Sequence, residues 1–206
     1  MFTGLIREIG NVVNRDAHKL RIKSTHKAQK GDSIAVNGVC LTVIEVHPDG
    51  FTVEVADETR RIVPPEKFEG RVHLEPAMQL NDRFEGHIVQ GHVDAVGTVR
   101  SIEKGENAVE FIIGVNDEAL RYIVPKGSIA IDGVSLTVNE VYDDAFRLTV
   151  IPHTLRETLM HTYKPGTKVN IETDMFARYI EHILARRQQS SNRLSWADID
   201  AMNMSF

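Results

Sequence analysis

The sequence predicts an all-β protein made of two copies of one small barrel, followed by a C-terminal helix. Three observations carry this reading. Residues 33–46 (SIAVNGVCLTVIEV) and 128–141 (SIAIDGVSLTVNEV), set 95 positions apart, are identical at 10 of 14 positions. The match continues at the same offset, with VADETRR from Val55 against VIPHTLR from Val150. Each copy also holds a tight-turn pair, Asn37-Gly38 or Asp132-Gly133, between runs rich in Val and Ile. Such pairs tolerate positive φ and are strong hairpin signals. The repeat is longer than the roughly 20–50 residue period of solenoids. It therefore marks two copies of a whole domain.

The elements follow in chain order. The first copy reads as strands at 33–36 and 39–46, then 51–55 and 71–75. The second reads as strands at 93–100, 109–115, 128–131, 134–141, 146–151 and 168–172. Short strands at this spacing, with Gly and Pro between them, suit a small barrel in each half, and closure removes exposed edges. The expected boundaries are 1–88 for the first domain, 89–174 for the second, 175–189 for the helix and 190–206 for a polar tail. In the helix, Phe176, Tyr179, Ile180, Ile183 and Leu184 share one face, since residues three or four apart align on a helix. That face packs either on its own barrel or on partner subunits. Asp174 stands where an N-cap is expected, and Arg186-Arg187 suit the negative end of the helix dipole. The tail, amphipathic around 194–204, suggests no function.

Composition bounds the partners. Of 206 residues, 42% are apolar and 26% charged, with a net charge of −5 and no basic block. Nucleic acid and anionic membrane surfaces thus have no electrostatic support. The single cysteine, Cys40, excludes an intrachain disulfide and fits a cytoplasmic protein. The opening MFTGLIREIG lacks the pattern of a signal peptide, and no apolar run approaches the ~18 residues of a membrane span.

Motifs narrow the chemistry. No two glycines lie two positions apart, which removes the G-x-G-x-x-G dinucleotide fingerprint. Gly86-His-Ile-Val-Gln-Gly91 has P-loop spacing but places His92 where lysine is required. His87 and His92 have no clustered Cys or acidic partner at metal-ligand spacing, so no metal is expected. Cys40 reads either as a buried small hydrophobe or as a nucleophile. The copies differ at polar positions: Cys40 against Ser135, Asn37 against Asp132, Glu58 against His153. Two similar pockets with unequal polar groups suit two related ligands, or one ligand in two roles.

MFTGLI, NGVCLTV, GHVD, IDGVSLTV, IPHTL and VNIETD occur in this order between residues 1 and 174. Together they resemble the riboflavin synthase family across essentially the whole chain. The resemblance implies two tandem six-stranded Greek-key barrels, with the C-terminal helix assembling a homotrimer. It implies dismutation of two molecules of 6,7-dimethyl-8-ribityllumazine. One gives a four-carbon unit to the other, forming riboflavin and 5-amino-6-ribitylaminouracil without metal or cofactor. Lumazine synthase is a candidate partner. Each barrel would bind one lumazine, the site forming where barrels of two subunits face each other. The competing readings are a non-catalytic lumazine- or flavin-binding antenna protein and the flavin-binding barrel of a reductase.

The resemblance also assigns residues. Gly4, Leu5, Ile6, Cys40, Leu41, Thr42, Glu54, Val55, Ala56, Asp57, Glu58, Thr59, Gly91, His92 and Val93 would line the first barrel's site. Lys126, Ser135, Leu136, Thr137, Val150, Ile151, Pro152, His153, Thr154 and Leu155 would line the second. The repeat itself makes 40–42 equivalent to 135–137, and 55–59 equivalent to 150–154. His92 is the expected base for a methyl proton, as its class of side chain titrates near neutrality. Ser135 and Thr137 would polarise or relay protons. Cys40 would add to the acceptor ring or orient a water that does. Asp174 would support a neighbouring hydroxyl or histidine, unless it only caps the helix. Phe2 would cover the stacked rings, unless the terminus is disordered.

Overall fold

The computed structural model describes residues 1–191. Two compact units are present: Met1–Asp174 holds the β structure, and the second begins at Met175. The first barrel comprises β1 (Glu8–Arg15), β2 (Lys19–Lys23), β3 (Ser33–Val36), β4 (Val39–His47), β5 (Gly50–Glu54) and β6 (Gly70–Pro76). The second comprises β7 (Ala95–Lys104), β8 (Val109–Gly114), β9 (Ser128–Ile131), β10 (Val134–Val141), β11 (Ala145–Val150) and β12 (Lys168–Thr173). Both close in one Greek-key order: β1-β2-β5-β4-β3-β6 is repeated as β7-β8-β11-β10-β9-β12. Helix α1 (Asp57–Ile62) follows β5 and α3 (Pro152–Glu157) follows β11, while α2 (Asp117–Leu120) precedes β9.

Six strands leave room only for side chains, and each barrel is filled by its own core. Leu20, Ile22, Phe51, Val53 and Val72 pack inside the first. Phe111, Ile113, Phe146, Leu148 and Ile171 pack inside the second. The tight turns form as expected, with Asn37 and Asp132 at φ +46 and +47. Along β4, Val39, Leu41 and Val43 are buried, while Cys40 is half-buried and Thr42 exposed. The two-residue strand period therefore turns Cys40 and Thr42 outward. Ser135 and Thr137 have the equivalent outward positions on β10.

Several elements depart from expectation. β1 and β2 have no counterpart among the expected strands: EIGNVVNR has a single buried residue and two asparagines, and KLRIK, with Leu20 and Ile22 buried, is only five residues long. α1 and α3 appear where the chain leaves the strand. Asp57 and Glu58 in the first turn favour α1, and Pro152 opens α3 with a preset φ. Helix α4 runs from Met175 to Ser191, past the expected end at Gln189. Its Phe176, Tyr179, Ile180, Ile183 and Leu184 are all at least half exposed. The remaining tail, 192–206, lies outside the described residues.

The barrels meet through reciprocal contacts, the signature of an approximate two-fold axis. Phe2 and Val89 form an antiparallel bridge, N–H to O at 2.7 and 3.1 Å. They bury with Ala35 and Ala130, which are equivalent by the repeat. The two tight turns abut, and a Cβ added to Gly38 would lie 2.6 Å from the Gly133 nitrogen. The His73 ring donates to the Asp132 carbonyl at 2.8 Å, and the Asn170 amide donates to the Asn37 carbonyl at 2.8 Å. The seam is not fully symmetric. Asp132 is completely buried and accepts from Lys67 Nζ at 2.7 Å and from the Tyr163 hydroxyl at 2.5 Å. Burial beside Asp132 pushes the Tyr163 hydroxyl far above its usual range, so it remains a donor.

Asp132→Ala should destabilise the chain by about 3 kcal/mol, since it strands a buried ammonium; urea unfolding at constant m-value checks this. His73 offers a second test. Burial holds its pKa below the usual 6.5, and its Nε2 accepts the Leu159 N–H at 2.7 Å, a bond open only to the neutral ring. The unfolded chain binds this proton more readily than the folded one. The stability that the neutral ring supplies is complete above about pH 6.5. It falls as pH drops through that value toward the depressed folded pKa. The urea midpoint should therefore decline between about pH 7 and 5, and less steeply in His73→Asn, which copies Asn170.

Candidate active site

Each barrel's outward strand is capped by backbone from the other half of the chain. Residues 2–6 lie against β10, where Ser135 N–H donates to the Gly4 carbonyl at 2.7 Å. Residues 89–93 lie against β4, where Cys40 N–H donates to the Gly91 carbonyl at 2.8 Å. Both glycines have left-handed φ, +79 and +81, and neither has room for a side chain. A Cβ would fall 2.6 Å from the Cβ of Ser135 or of Cys40 respectively. The other side of each segment is held by a buried glutamate. Glu75 accepts from Thr3 and Gly4 N–H at 2.7 and 3.0 Å. Glu172 accepts from Gln90, Gly91 and His92 N–H at 2.6, 2.8 and 3.1 Å.

At the first barrel these elements enclose a cleft of about 530 Å³, within the usual size range for small-molecule sites. It brings together Cys40 from β4, Ala56 at the start of α1, Glu58 and Thr59 from α1, and Gly91, His92 and Val93 from the crossing segment. A neighbouring cleft of about 320 Å³ contains Arg15 and Arg60, but these guanidinium groups are paired with Glu69 and Asp57. Thr42 and Glu54 are exposed neighbours on paired strands, and Asp57 is exposed in the first turn of α1. Leu41 and Val55 point into the core, so only their backbone can face a ligand.

At the second barrel Ser135 and Thr137 face outward, with Leu136 partly buried against the core. The Ser135 hydroxyl is 2.7 Å from His87 Nδ1. Burial lowers the His87 pKa, and the negative charge of Asp174 partly opposes this. The neutral ring can therefore exchange a proton with the hydroxyl, with Asp174 favouring the charged form. Val150 is buried in the core, whereas Ile151, Pro152 and His153 are exposed and Thr154 and Leu155 partly so. Lys126 is held at φ +67. The repeat places it opposite Gly31, and both residues donate an equivalent N–H, to Val138 and Val43. A lysine in this region stores strain that glycine would release.

Two expectations are corrected. Gly4, Leu5 and Ile6 do not line the first barrel's cleft. The chain carries them across to Ser135, and Ile6 packs on the second core. Phe2 is neither a ring cover nor disordered: it is 1% exposed and sits in the seam. Three residues at the sites escaped the sequence reading of site roles. His87 lies in the linker between copies, so the repeat offers no position against which to compare it. Glu75 and Glu172 lie 97 residues apart, displaced from the 95-residue offset that exposes the other pairs.

A family model of the lumazine binding domain matches residues 3–77 and 90–174. Riboflavin synthase of Actinobacillus pleuropneumoniae is 42% identical over 198 residues, covering 91% of each chain. That of Mycobacterium bovis is 43% identical over 197 residues, covering 89% of this chain and 98% of the relative. The chain belongs to the riboflavin synthase family. Crystal structures of LumP share the fold of this riboflavin synthase family member. The riboflavin complex aligns with TM-score 0.75 at 23% identity, covering 84% of this chain and all of that one. The complex with 6,7-dimethyl-8-(1'-D-ribityl) lumazine aligns at 0.73 and 24% identity, over 84% and 99%.

Lys126→Gly should raise stability by about 1 kcal/mol through relief of the left-handed strain, while lowering turnover. Thermal unfolding and initial rates, measured on one preparation, check the two opposite signs.

Proposed function

We infer that this chain is a riboflavin synthase that converts two molecules of 6,7-dimethyl-8-ribityllumazine into riboflavin and 5-amino-6-ribitylaminouracil. The observation that carries the reading is a duplicated site whose polar groups differ. A thiol faces outward from β4, and a hydroxyl bonded to histidine occupies the equivalent place on β10. A dismutation needs one substrate bound twice, in unequal roles. Holding the two rings in reacting geometry can remove roughly 7–11 kcal/mol of the barrier.

The four-carbon transfer balances without an external oxidant or reductant, because the two products together contain the atoms of two substrates. No cofactor is required by this chemistry. A base removes a proton from the C7 methyl of the donor, and the resulting carbanion attacks the acceptor ring. His92, exposed in the Cys40 cleft, can reach bound ligand as that base. Cys40 Sγ is placed to add to the acceptor or to orient a water. Ser135, bonded to His87, can pass a proton at the second ring, with Thr137 on the same outward face and Asp174 stabilising the charged histidine. The exposed stretches 56–58 and 151–153 and the polar side chains of Thr59, Glu58 and Thr154 suit the heterocycle and its ribityl chain.

The apolar stripe of α4, more than half exposed at Phe176, Tyr179 and Ile180, supports association of subunits. We place a homotrimer on this helix, with a first barrel of one subunit facing a second barrel of another. Among the described residues no helix is long and apolar enough to cross a membrane, and the lone thiol suits a reducing cytoplasm.

Incubation of the purified protein with the lumazine alone should yield riboflavin at half the molar amount of substrate consumed. Stable lumazine fluorescence without turnover would instead support an antenna protein. His92→Gln should lower kcat by about 10²–10⁴-fold, and Cys40→Ala should lower it by more than either change weakens lumazine binding. Equal losses in rate and binding would remove the catalytic role.

A further inference from the structure

The crossing segments form concave runs of backbone N–H groups. A left-handed glycine flanked by residues of ordinary φ turns successive amides toward one point, an arrangement that binds anions. Here the anion is internal. Glu172, 4% exposed, sits on β12 of the second barrel and receives three consecutive N–H bonds from Gln90, Gly91 and His92. Glu75, 3% exposed, sits on β6 of the first barrel and receives Thr3 and Gly4 N–H, with the Thr3 hydroxyl at 2.9 Å. The opposite edge of each run docks on the other barrel: Gly91 C=O meets Cys40 N–H, and Gly4 C=O meets Ser135 N–H. The segments cannot shift without loss of these bonds, and only glycine fits at position 91, where an added Cβ would lie 2.6 Å from the Cys40 Cβ.

We propose that Glu172 and Glu75 are positioning residues that act across the seam, each fixing the segment that docks on the barrel to which it does not belong. Glu172 sets the place of His92 beside Cys40. Glu75 sets the segment that lies against Ser135. The three amides demand an acceptor at both carboxylate oxygens. An isosteric amide puts donors against donors, so the charge and the acceptor pattern matter, not only the volume. The consequence for turnover rests on the riboflavin synthase reading. The consequence for the shape of the clefts does not.

Cys40 is the only cysteine of the chain, and it reports on the first cleft alone. In the full chain, iodoacetamide should alkylate Cys40 about tenfold faster in Glu172→Gln than in wild type. That factor corresponds to the loss of about one charge-assisted hydrogen bond. Glu75→Gln lies in the same barrel as Cys40, yet its acceleration should fall short of this by at least about threefold. General loosening of the fold would move both variants alike, and thermal melts of each measure that contribution. Equal acceleration in the two variants, or none in Glu172→Gln, overturns the proposal. Should Glu172→Gln fail to fold, Glu172→Asp and Glu75→Asp are compared by the same criterion. In Glu172→Gln, turnover of the lumazine should fall by about a hundredfold, as for a displacement on the order of 1 Å. A wild-type protein that makes no riboflavin would sink the enzymatic reading, while the alkylation contrast would still decide the cross-seam role.

Discussion

The structure depends on one exchange of backbone hydrogen bonds. Cys40 N–H and Ser135 N–H, both on outward strands, are each satisfied by a glycine carbonyl from the other copy. An outward strand amide left unpaired under a docked segment would cost roughly 1–3 kcal/mol. Pairing it therefore fixes where each crossing segment lies. Phe2 and Val89 then bridge at the axis between the segments, and Ala35 and Ala130 fill the space around them. The small residues at that place permit the close approach. The two barrels form one compact unit because of it.

The exchange makes both sites composite. Cys40 comes from the first copy and His92 from the start of the second. Ser135 comes from the second copy, and Gly4 from the first. A first barrel that folded correctly alone would still lack Gly91, His92, Val93 and Asp94 from the lining of its cleft. The duplicated domain is thus one frame in which each half completes the other's outward surface. The axis that relates the halves forces them to be alike in frame but leaves their outward side chains free to differ.

Much of this was legible in the sequence. The tight turns at Asn37-Gly38 and Asp132-Gly133 announced the hairpins, because only a few residue pairs accept positive φ together. Cys40, which the sequence leaves as either a buried small hydrophobe or a nucleophile, lies half-buried on the outward face of β4. The cleft at Cys40, Glu58, Thr59 and His92 follows from repeat and motif together. What was not legible is long-range. β1 was hidden, since a strand with half its residues exposed and one buried has a weak apolar period, and β2 is only five residues long although its Leu20 and Ile22 alternate inward. The crossing of residues 2–6 to the second barrel was hidden because the repeat aligns equivalent positions without saying which copy they touch. Glu75 and Glu172 read as ordinary strand-end charges until their amide partners are known.

The divergence of the two copies follows a physical rule. Where a residue serves the frame, the copies keep the same chemistry: Gly4 and Gly91, Glu75 and Glu172, Ala35 and Ala130. Gly4 and Gly91 dock on the other half, and Glu75 and Glu172 hold them there from their own half, so a change in one strains both halves. Where a residue faces outward from β4 or β10, or from α1 or α3, it meets no symmetry partner. There Cys40 differs from Ser135, and Glu58 from His153. The seam shows two exceptions, His73 against Asn170 and Asn37 against Asp132, and the second adds a buried charge. Burying that extra carboxylate is tolerable only because Lys67 and Tyr163 both turn onto it. Freedom on the outward face, and constraint at the seam, let a two-fold frame carry unlike polar groups at equivalent positions.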